Sequence, residues 1–178
     1  SFLADPTFEA VFGWTPSTTR MSELSGNLLS ASLVDAMDSP PKNLAKENRF
    51  AKDRFPYVHQ IQSWKILAED PPKSLIVTSG TGSGKTECFM VPILDRLARE
   101  QEQMGSQLVG VRALFLYPLN ALINSQRDRL LAWTHGFGNK VRFCLYNGLT
   151  PETIPSGSLV QNASEIQDRK TLRASPPP

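Results

Sequence analysis

The residues that carry chemistry in this chain form one glycine-rich segment, residues 79–86, which we call the P-loop. Three glycines at alternate positions permit backbone angles that a Cβ atom would block, so the loop can wrap tightly around an anion. Its N–H groups and the start of the following helix would face nucleotide phosphates. Lys85 would reach the β- and γ-phosphates, and the Thr86 hydroxyl would bind Mg²⁺. The predicted contacts are Ser79, Gly80, Thr81, Gly82, Ser83, Gly84, Lys85 and Thr86.

The sequence on both sides of the P-loop fits this interpretation. Residues 75–77 are an apolar run typical of a buried strand, and a helical apolar stripe follows the loop. The general pattern for such loops begins with glycine, whereas this chain has Ser79 there, so the match rests on the later residues. The alternative is a flexible turn with a surface lysine, which the flanking strand and helix disfavour.

Gln60 precedes the P-loop by about the length of a strand, in a segment that predicts a helix. Ile61, Trp64 and Leu67 share one face of that helix, which leaves Gln60 pointing elsewhere. A glutamine amide offers a donor and an acceptor in one plane, the complement of the adenine edge. We therefore expect Gln60 to contact the base; the alternative is a solvated glutamine. The aromatic candidates for the base's face are Phe50, Phe55 and Tyr57.

Two further predicted strands, residues 111–117 and 141–146, follow the P-loop helix. Strand, helix and strand in this order indicate a right-handed crossover and a parallel sheet, whose ligands gather at the carboxyl ends of the strands. Polar residues after these strands could contact a phosphate backbone. They are Asn120, Ser125, Gln126 and Arg127 after one strand, and Gly148 and Thr150 after the other. At the latter end the alternative is an ordinary Asn-Gly turn.

The composition, with 178 residues, 40% hydrophobic and 20% charged, describes one soluble globular domain or part of one. No apolar tract is long enough to span a membrane and the N-terminus lacks a signal pattern, so we expect a cytoplasmic location. Two cysteines give no framework for disulfides or zinc. His59 and His135 have no ligand at metal spacing, and neither is assigned a metal or catalytic role. The net charge of +2 does not by itself predict nucleic-acid binding.

Residues 1–48 predict a helical or irregular lead-in, and residues 49–178 the front part of the nucleotide-binding domain. Leu29, Leu33 and Met37 of the lead-in fall on one helical face. Four aromatic side chains are expected to dock on the domain core or to face a partner. They are Phe2, Phe8, Phe12 and Trp14.

Four segments, taken in order, resemble successive motifs of superfamily 2 DEAD/DEAH-box helicases. They are residues 56–60, 79–87, 117–122 and 146–151. Within that group the chain is similar to large prokaryotic helicases, including those of anti-phage defence systems such as Druantia and DISARM. The resemblance covers about residues 49–178. It implies an α/β fold, namely a parallel-sheet, RecA-like P-loop NTPase domain that is incomplete here and preceded by the lead-in.

The resemblance also implies ligands and roles. ATP and Mg²⁺ are the implied cofactors, with Gln60 at the adenine and with Lys85 and Thr86 at the phosphates and the metal. The expected partners are a nucleic-acid strand, either DNA or RNA with DNA favoured, and possible protein partners of a defence complex. The residues implied along the strand are Pro118, Asn120, Gln126, Gly148 and Thr150.

Two parts of such an enzyme do not occur in these residues: the acidic Asp-Glu-x-His motif and a second motor domain. We therefore expect a fragment of a longer helicase, truncated before that motif and inactive alone. Two alternatives stay open, a small-molecule kinase with the same phosphate loop and a module that binds nucleotide without hydrolysing it. The motifs at the two later strand ends disfavour the kinase.

Overall fold

The computed structural model describes residues 13–71, 73–118, 120–154 and 163–178, without the side chains of Asn120 and Ala121. Its helices are α1 (Met21–Leu24), α2 (Ala31–Asp38), α3 (Lys42–Asn48), α4 (Val58–Leu67), α5 (Lys85–Met104), α6 (Asn120–Thr134) and α7 (Arg169–Ala174). Its strands are β1 (Phe143–Cys144) and β2 (Glu165–Ile166), and a 3₁₀ turn at His135–Phe137 follows α6. The predicted docking of Phe2, Phe8 and Phe12 lies outside the described residues.

The sheet consists of β1 and β2, which run parallel with Phe143 opposite Glu165 and Cys144 opposite Ile166. The parallel pair, together with the helices that precede and follow it in the chain, confirms the predicted α/β class. β1 lies inside the predicted strand 141–146, whereas β2 was not predicted. Its short sequence is flanked by polar residues and carries no alternating pattern that would have revealed it.

The prediction of buried strands at residues 75–77 and 111–117 is wrong for this structure. Both segments lack helix and strand assignments, and neither forms a ladder with another segment of the described chain. Ile76 is 89% exposed, and Leu114 and Leu116 are 74% and 82% exposed. A parallel strand is buried only when other strands pair with it and helices cover both faces, so an apolar run alone does not fix its burial.

The lead-in is part of the same hydrophobic core as the P-loop helix. Its buried side chains pack with those of α4, α5 and α6 around Trp64 and Trp133, whose indole nitrogens donate 2.8 Å hydrogen bonds to the carbonyl oxygens of Glu87 and Asn48. The lead-in contributes Met21, Leu24, Leu29, Leu33, Val34 and Met37. The predicted helix is confirmed as α2 for Leu33 and Met37, whereas Leu29 lies before this helix and is buried in the same core.

The longest helix, α5, is bounded by two glycines in the left-handed region, where a Cβ atom is disfavoured. Gly84 (φ 74°) precedes its first residue, and Gly105 (φ 66°) ends it by donating its N–H to the carbonyl of Gln101. The predicted stripe packs inward: Met90, Leu94 and Leu97 are buried. None of the helices in the part of the chain that the structure describes has the length and apolar character of a membrane span.

Candidate nucleotide-binding site

The P-loop directly precedes the N-terminus of α5, as predicted, whereas the segment before it forms no strand. Gly82 (φ 78°) and Gly84 (φ 74°) both adopt left-handed backbone angles, so the chain turns sharply before the helix begins at Lys85. Residues 79–82 are exposed, whereas Ser83 is 1% exposed. The unpaired N–H groups at the start of a 20-residue helix favour an anion at this end. The backbone therefore fits a bound phosphate group.

The Lys85 side chain folds back over the loop. Its Nζ atom donates to the carbonyl oxygens of Ser79, at 2.6 Å, and Gly80, at 2.7 Å. These acceptors are neutral, and a phosphate oxygen would offer this ammonium group a stronger, charge-assisted hydrogen bond. Lys85 is thus held above the exposed glycines, where a polyphosphate would meet it.

Thr86 lies in the first turn of α5 and is partly buried. Its hydroxyl oxygen is of the hard type that Mg²⁺ prefers, and Mg²⁺ commonly takes its other ligands from phosphate oxygens and water. Among the described residues, no cluster of three or more His, Cys, Asp or Glu side chains could hold a metal ion. The single hydroxyl of Thr86 therefore fits a magnesium ion that also binds nucleotide phosphates and water.

Gln60 is 1% exposed, which excludes the solvated alternative. Its Oε1 accepts from the backbone N–H of Tyr57 at 2.9 Å, and its Nε2 donates to the carbonyl of Gly84 at 3.2 Å. A Cβ atom at Gly84 would lie 2.3 Å from that Nε2 atom, so the close approach requires glycine. Gln60 therefore contacts the P-loop directly; its contact with adenine stays a prediction.

His59 is a residue of this site that sequence reasoning missed. Its Nε2 atom lies 2.8 Å from the carbonyl oxygen of Ser83, and because a carbonyl only accepts, Nε2 carries the proton. The imidazole stacks on the Tyr57 ring, with centroids 5.6 Å apart and an interplanar angle of 12°. Trp14 lies 6.2 Å beyond Tyr57 and against Gly80. The available signal was the position of His59 next to Gln60, on a predicted helix that precedes the loop.

Of the candidates after residues 111–117, Pro118 is exposed and the side chain of Asn120 lies outside the description. Gln126 is partly buried and donates to the Ser125 hydroxyl at 3.2 Å. Arg127 forms a bidentate salt bridge with Glu165, in which Nε and Nη2 each lie 2.6 Å from a carboxylate oxygen. This pairing raises the pKa of Arg127. This pairing links α6 to β2, so the Arg127 guanidinium is not a free phosphate donor as the sequence suggested.

At the end of β1, the Thr150 hydroxyl is used within the turn. It donates to the carbonyl of Leu145 and accepts from the N–H of Asn147, both at 3.0 Å, and Thr150 is 9% exposed. Gly148, by contrast, is exposed. These contacts are those of the strand-terminating turn that the sequence left open as an alternative. A contact of Thr150 with nucleic acid stays a prediction.

This chain is similar in sequence to known helicases. The DEAD/DEAH box helicase family model matches residues 57–166. This range includes Gln60, the P-loop and the segments that follow residues 111–117 and β1. Druantia protein DruE of Escherichia coli (strain UMEA 4076-1) is 38% identical over 111 residues, which are 54% of this chain and 6% of that protein. The uncharacterized ATP-dependent helicase YprA of Bacillus subtilis (strain 168) is 28% identical over 98 residues, 55% of this chain and 12% of that protein.

The human ATP-dependent RNA helicase DDX55 is 31% identical over 97 residues, 54% of this chain and 16% of that protein. The chain thus aligns with less than a fifth of the length of each of these three relatives. No solved structure gives a significant match. Because the family model covers more than half of the chain, with the P-loop inside the match, the chain belongs to the DEAD/DEAH box helicase family.

Proposed function

We propose that this chain is the ATP-binding part of an ATP-dependent nucleic-acid helicase or translocase. The observation that carries the proposal is the position of the Lys85 ammonium group, held over an exposed glycine loop at the N-terminus of α5. Membership of the DEAD/DEAH box helicase family supports it. Residues 79–86 bind the phosphates, and Gln60 contacts the base.

The roles of the P-loop residues follow from their chemistry. The N–H groups of the loop and of the first turn of α5 hold the phosphates, and Lys85 compensates their charge. Thr86 orients Mg²⁺ through its hydroxyl. Bound ATP–Mg supplies a phosphoanhydride bond whose hydrolysis releases the free energy for movement along nucleic acid. Hydrolysis also needs carboxylates and arginines, which residues 79–86 do not supply, so we assign the activity to the full-length protein.

The nucleic-acid strand lies along the loops that follow residues 111–117 and β1. Pro118 and Gly148 are exposed there, which leaves the backbone open to a phosphate. The proposed contacts are Pro118, Asn120, Gln126, Gly148 and Thr150. Backbone contacts of this kind fix position without reading sequence, and DNA is the proposed substrate.

We also propose a role in anti-phage defence, in the cytoplasm and with possible protein partners of a defence complex. The similarity to Druantia protein DruE supports only the defence role. The alternatives are a small-molecule kinase and a module that binds nucleotide without turnover. The test is the ATPase rate of the full-length protein with and without single-stranded DNA and RNA. We expect nucleic acid to raise the ATPase rate, and single-stranded DNA to raise it more than RNA does. A rate that nucleic acid does not change overturns the proposal.

A further inference from the structure

An ion pair connects the first turn of α5 with α6. Oε1 of Glu87 lies 3.2 Å from Nη1 of Arg129, and the two side chains are only 14% and 25% exposed. Glu87 directly follows Thr86, the last residue of the P-loop. The contact ties the nucleotide end of α5 to a different structural element.

Arg129 is held in place by residues of its own helix. Its guanidinium lies over the Trp133 ring, 5.6 Å from the centroid, and Nη1 is 3.5 Å from Oε1 of Gln126. Trp133 is 1% exposed and is anchored through its indole N–H to the carbonyl of Asn48. A cation fixed in this way presents its charge to Glu87 from a defined position. Arg129 therefore orients Glu87, rather than following it.

The nucleic-acid contacts proposed above lie next to Arg129 on α6 and directly after Tyr117, since Nη1 of Arg129 is 3.5 Å from Oε1 of Gln126. Tyr117 directly precedes Pro118, and its hydroxyl is buried without a hydrogen-bond partner in the described part of the chain. Burial raises the pKa of Tyr117 above its usual value, and the charge of Arg129 opposes this shift. Arg129 thus contacts both Glu87, in the first turn of α5, and Gln126, a proposed nucleic-acid contact on α6.

We propose that Arg129 is a positioning residue that links the nucleotide site to the nucleic-acid site. Nucleic acid bound at Pro118 and the start of α6 fixes that helix, and Arg129 passes this constraint to Glu87 and the adjacent Thr86. The physical basis is that a mostly buried carboxylate follows its paired cation, because separation leaves both charges uncompensated. The inference rests on the proposed function, since it requires that nucleic acid stimulate hydrolysis.

The test compares ATPase rates of the full-length protein and its variants over a titration with a single-stranded oligodeoxynucleotide. Arg129→Gln removes the charge and Arg129→Lys retains it. Arg96→Gln, at an exposed arginine of α5, is the matched control. We expect Arg129→Gln to lower the maximal stimulation about three- to tenfold with little change in the basal rate, and Arg129→Lys to recover part of it. Arg96→Gln should behave as wild type.

A double-mutant cycle with Glu87→Gln identifies the contact. If the pair acts as one unit, Glu87→Gln combined with Arg129→Gln loses no more stimulation than the worse single variant. Additive losses overturn the link. So does an Arg129→Gln protein whose basal and stimulated rates fall in proportion together with its melting temperature, because that pattern indicates only a structural role. If nucleic acid does not raise the ATPase rate of the wild-type protein, that result instead overturns the proposed function.

Discussion

Nε2 of His59 lies 2.8 Å from the carbonyl oxygen of Ser83, and Gln60, the next residue, donates to the carbonyl oxygen of Gly84 at 3.2 Å. Two consecutive side chains of α4 thus hold two consecutive carbonyls of the P-loop. A loop that contains two left-handed glycines has high conformational freedom in the unfolded chain. These hydrogen bonds stabilise the folded loop conformation and so lower the entropic cost of binding a nucleotide.

His59→Phe should weaken ATP binding by the full-length protein. Phenylalanine retains a ring that stacks on Tyr57 but lacks the N–H that donates to Ser83, so the loss should be about 0.5–1.5 kcal/mol, the usual contribution of one hydrogen bond. The measurement is the dissociation constant for ATP. His59→Gln, which restores a donor, should recover part of the affinity. A His59→Phe protein that binds ATP as tightly as wild type would show that this contact does not organise the loop.

Gln60→Ala should weaken ATP binding and narrow the preference for ATP over GTP. Bidentate hydrogen bonds to a base edge contribute roughly 1–3 kcal/mol of discrimination between bases, by analogy with base recognition in nucleic acids. Competition between the two nucleotides, measured for wild type and the variant, checks this prediction. An equal loss for ATP and GTP would show that Gln60 acts through Gly84 and not through the base.

Lys85→Ala in the full-length protein should abolish ATPase activity and weaken nucleotide binding, because the polyphosphate loses its main side-chain cation. Folding should change little, since Lys85 donates only to two carbonyls of its own loop. ATP turnover and the melting temperature are the two measurements. Lys65→Ala, at an exposed lysine of α4, is the control and should turn over ATP normally. ATP turnover near the wild-type rate would contradict the proposal that residues 79–86 bind the nucleotide phosphates.

The sequence predicted the local elements of this site well. The local sequence determines the backbone angles of Gly82 and Gly84 and the apolar stripe of α5. The loop and its helix could therefore be predicted. The burial of Gln60 could not, because it depends on how closely α4 approaches Gly84. The role of His59 was hidden for the same reason: its partner is a backbone carbonyl 24 residues away, which no spacing pattern encodes.

For the predicted strands, by contrast, the sequence did not determine pairing or burial. An apolar run such as residues 111–117 predicts extended backbone, but pairing and burial depend on which other segments lie beside it. Leu116 is therefore 82% exposed despite its strand-like context. Arg127 is a further case: its charge suggested a phosphate contact, and the structure instead pairs it with Glu165, whose side chain is 6% exposed. Residue type gave the chemistry, and the tertiary contact determined the partner.

Asp95→Ala should loosen the lead-in from α5. The carboxylate of Asp95 accepts from the buried N–H of Ser30 and pairs with Arg99 at 2.7 Å, and Arg99 also donates to the carbonyls of Asn27 and Leu28. Removal leaves the Ser30 N–H unsatisfied, at a cost of about 1–3 kcal/mol. Hydrogen exchange of α2 amides should become faster.

Asp35→Ala is the control for this variant, because Asp35 is exposed and pairs with Lys52 at the surface. It should leave the exchange of α2 amides near the wild-type rate. Slow exchange of these amides in the Asp95→Ala protein, as in wild type, would mean that the buried carboxylate does not hold the lead-in.

The last prediction concerns the nucleic-acid contacts at Asn120 and Thr150. Asn120→Ala and Thr150→Ala should each weaken binding of single-stranded DNA by roughly 0.5–1.5 kcal/mol, equally for unrelated sequences, because contacts to the backbone do not read bases. Neither side chain is charged, so the slope of log affinity against log salt should stay constant, unlike the loss of a lysine contact. Binding at several salt concentrations by the full-length protein is the measurement.

Thr150 needs a control of its own, because its hydroxyl also bonds to Leu145 and Asn147 within the turn. Thr150→Ser keeps the hydroxyl and both hydrogen bonds, so it should bind DNA as wild type does. If Thr150→Ser and Thr150→Ala both bind normally while Asn120→Ala does not, the nucleic-acid strand contacts the start of α6 and not the turn at Thr150. If all three variants bind as wild type, these loops do not contact the strand, and the kinase and nucleotide-binding alternatives gain support.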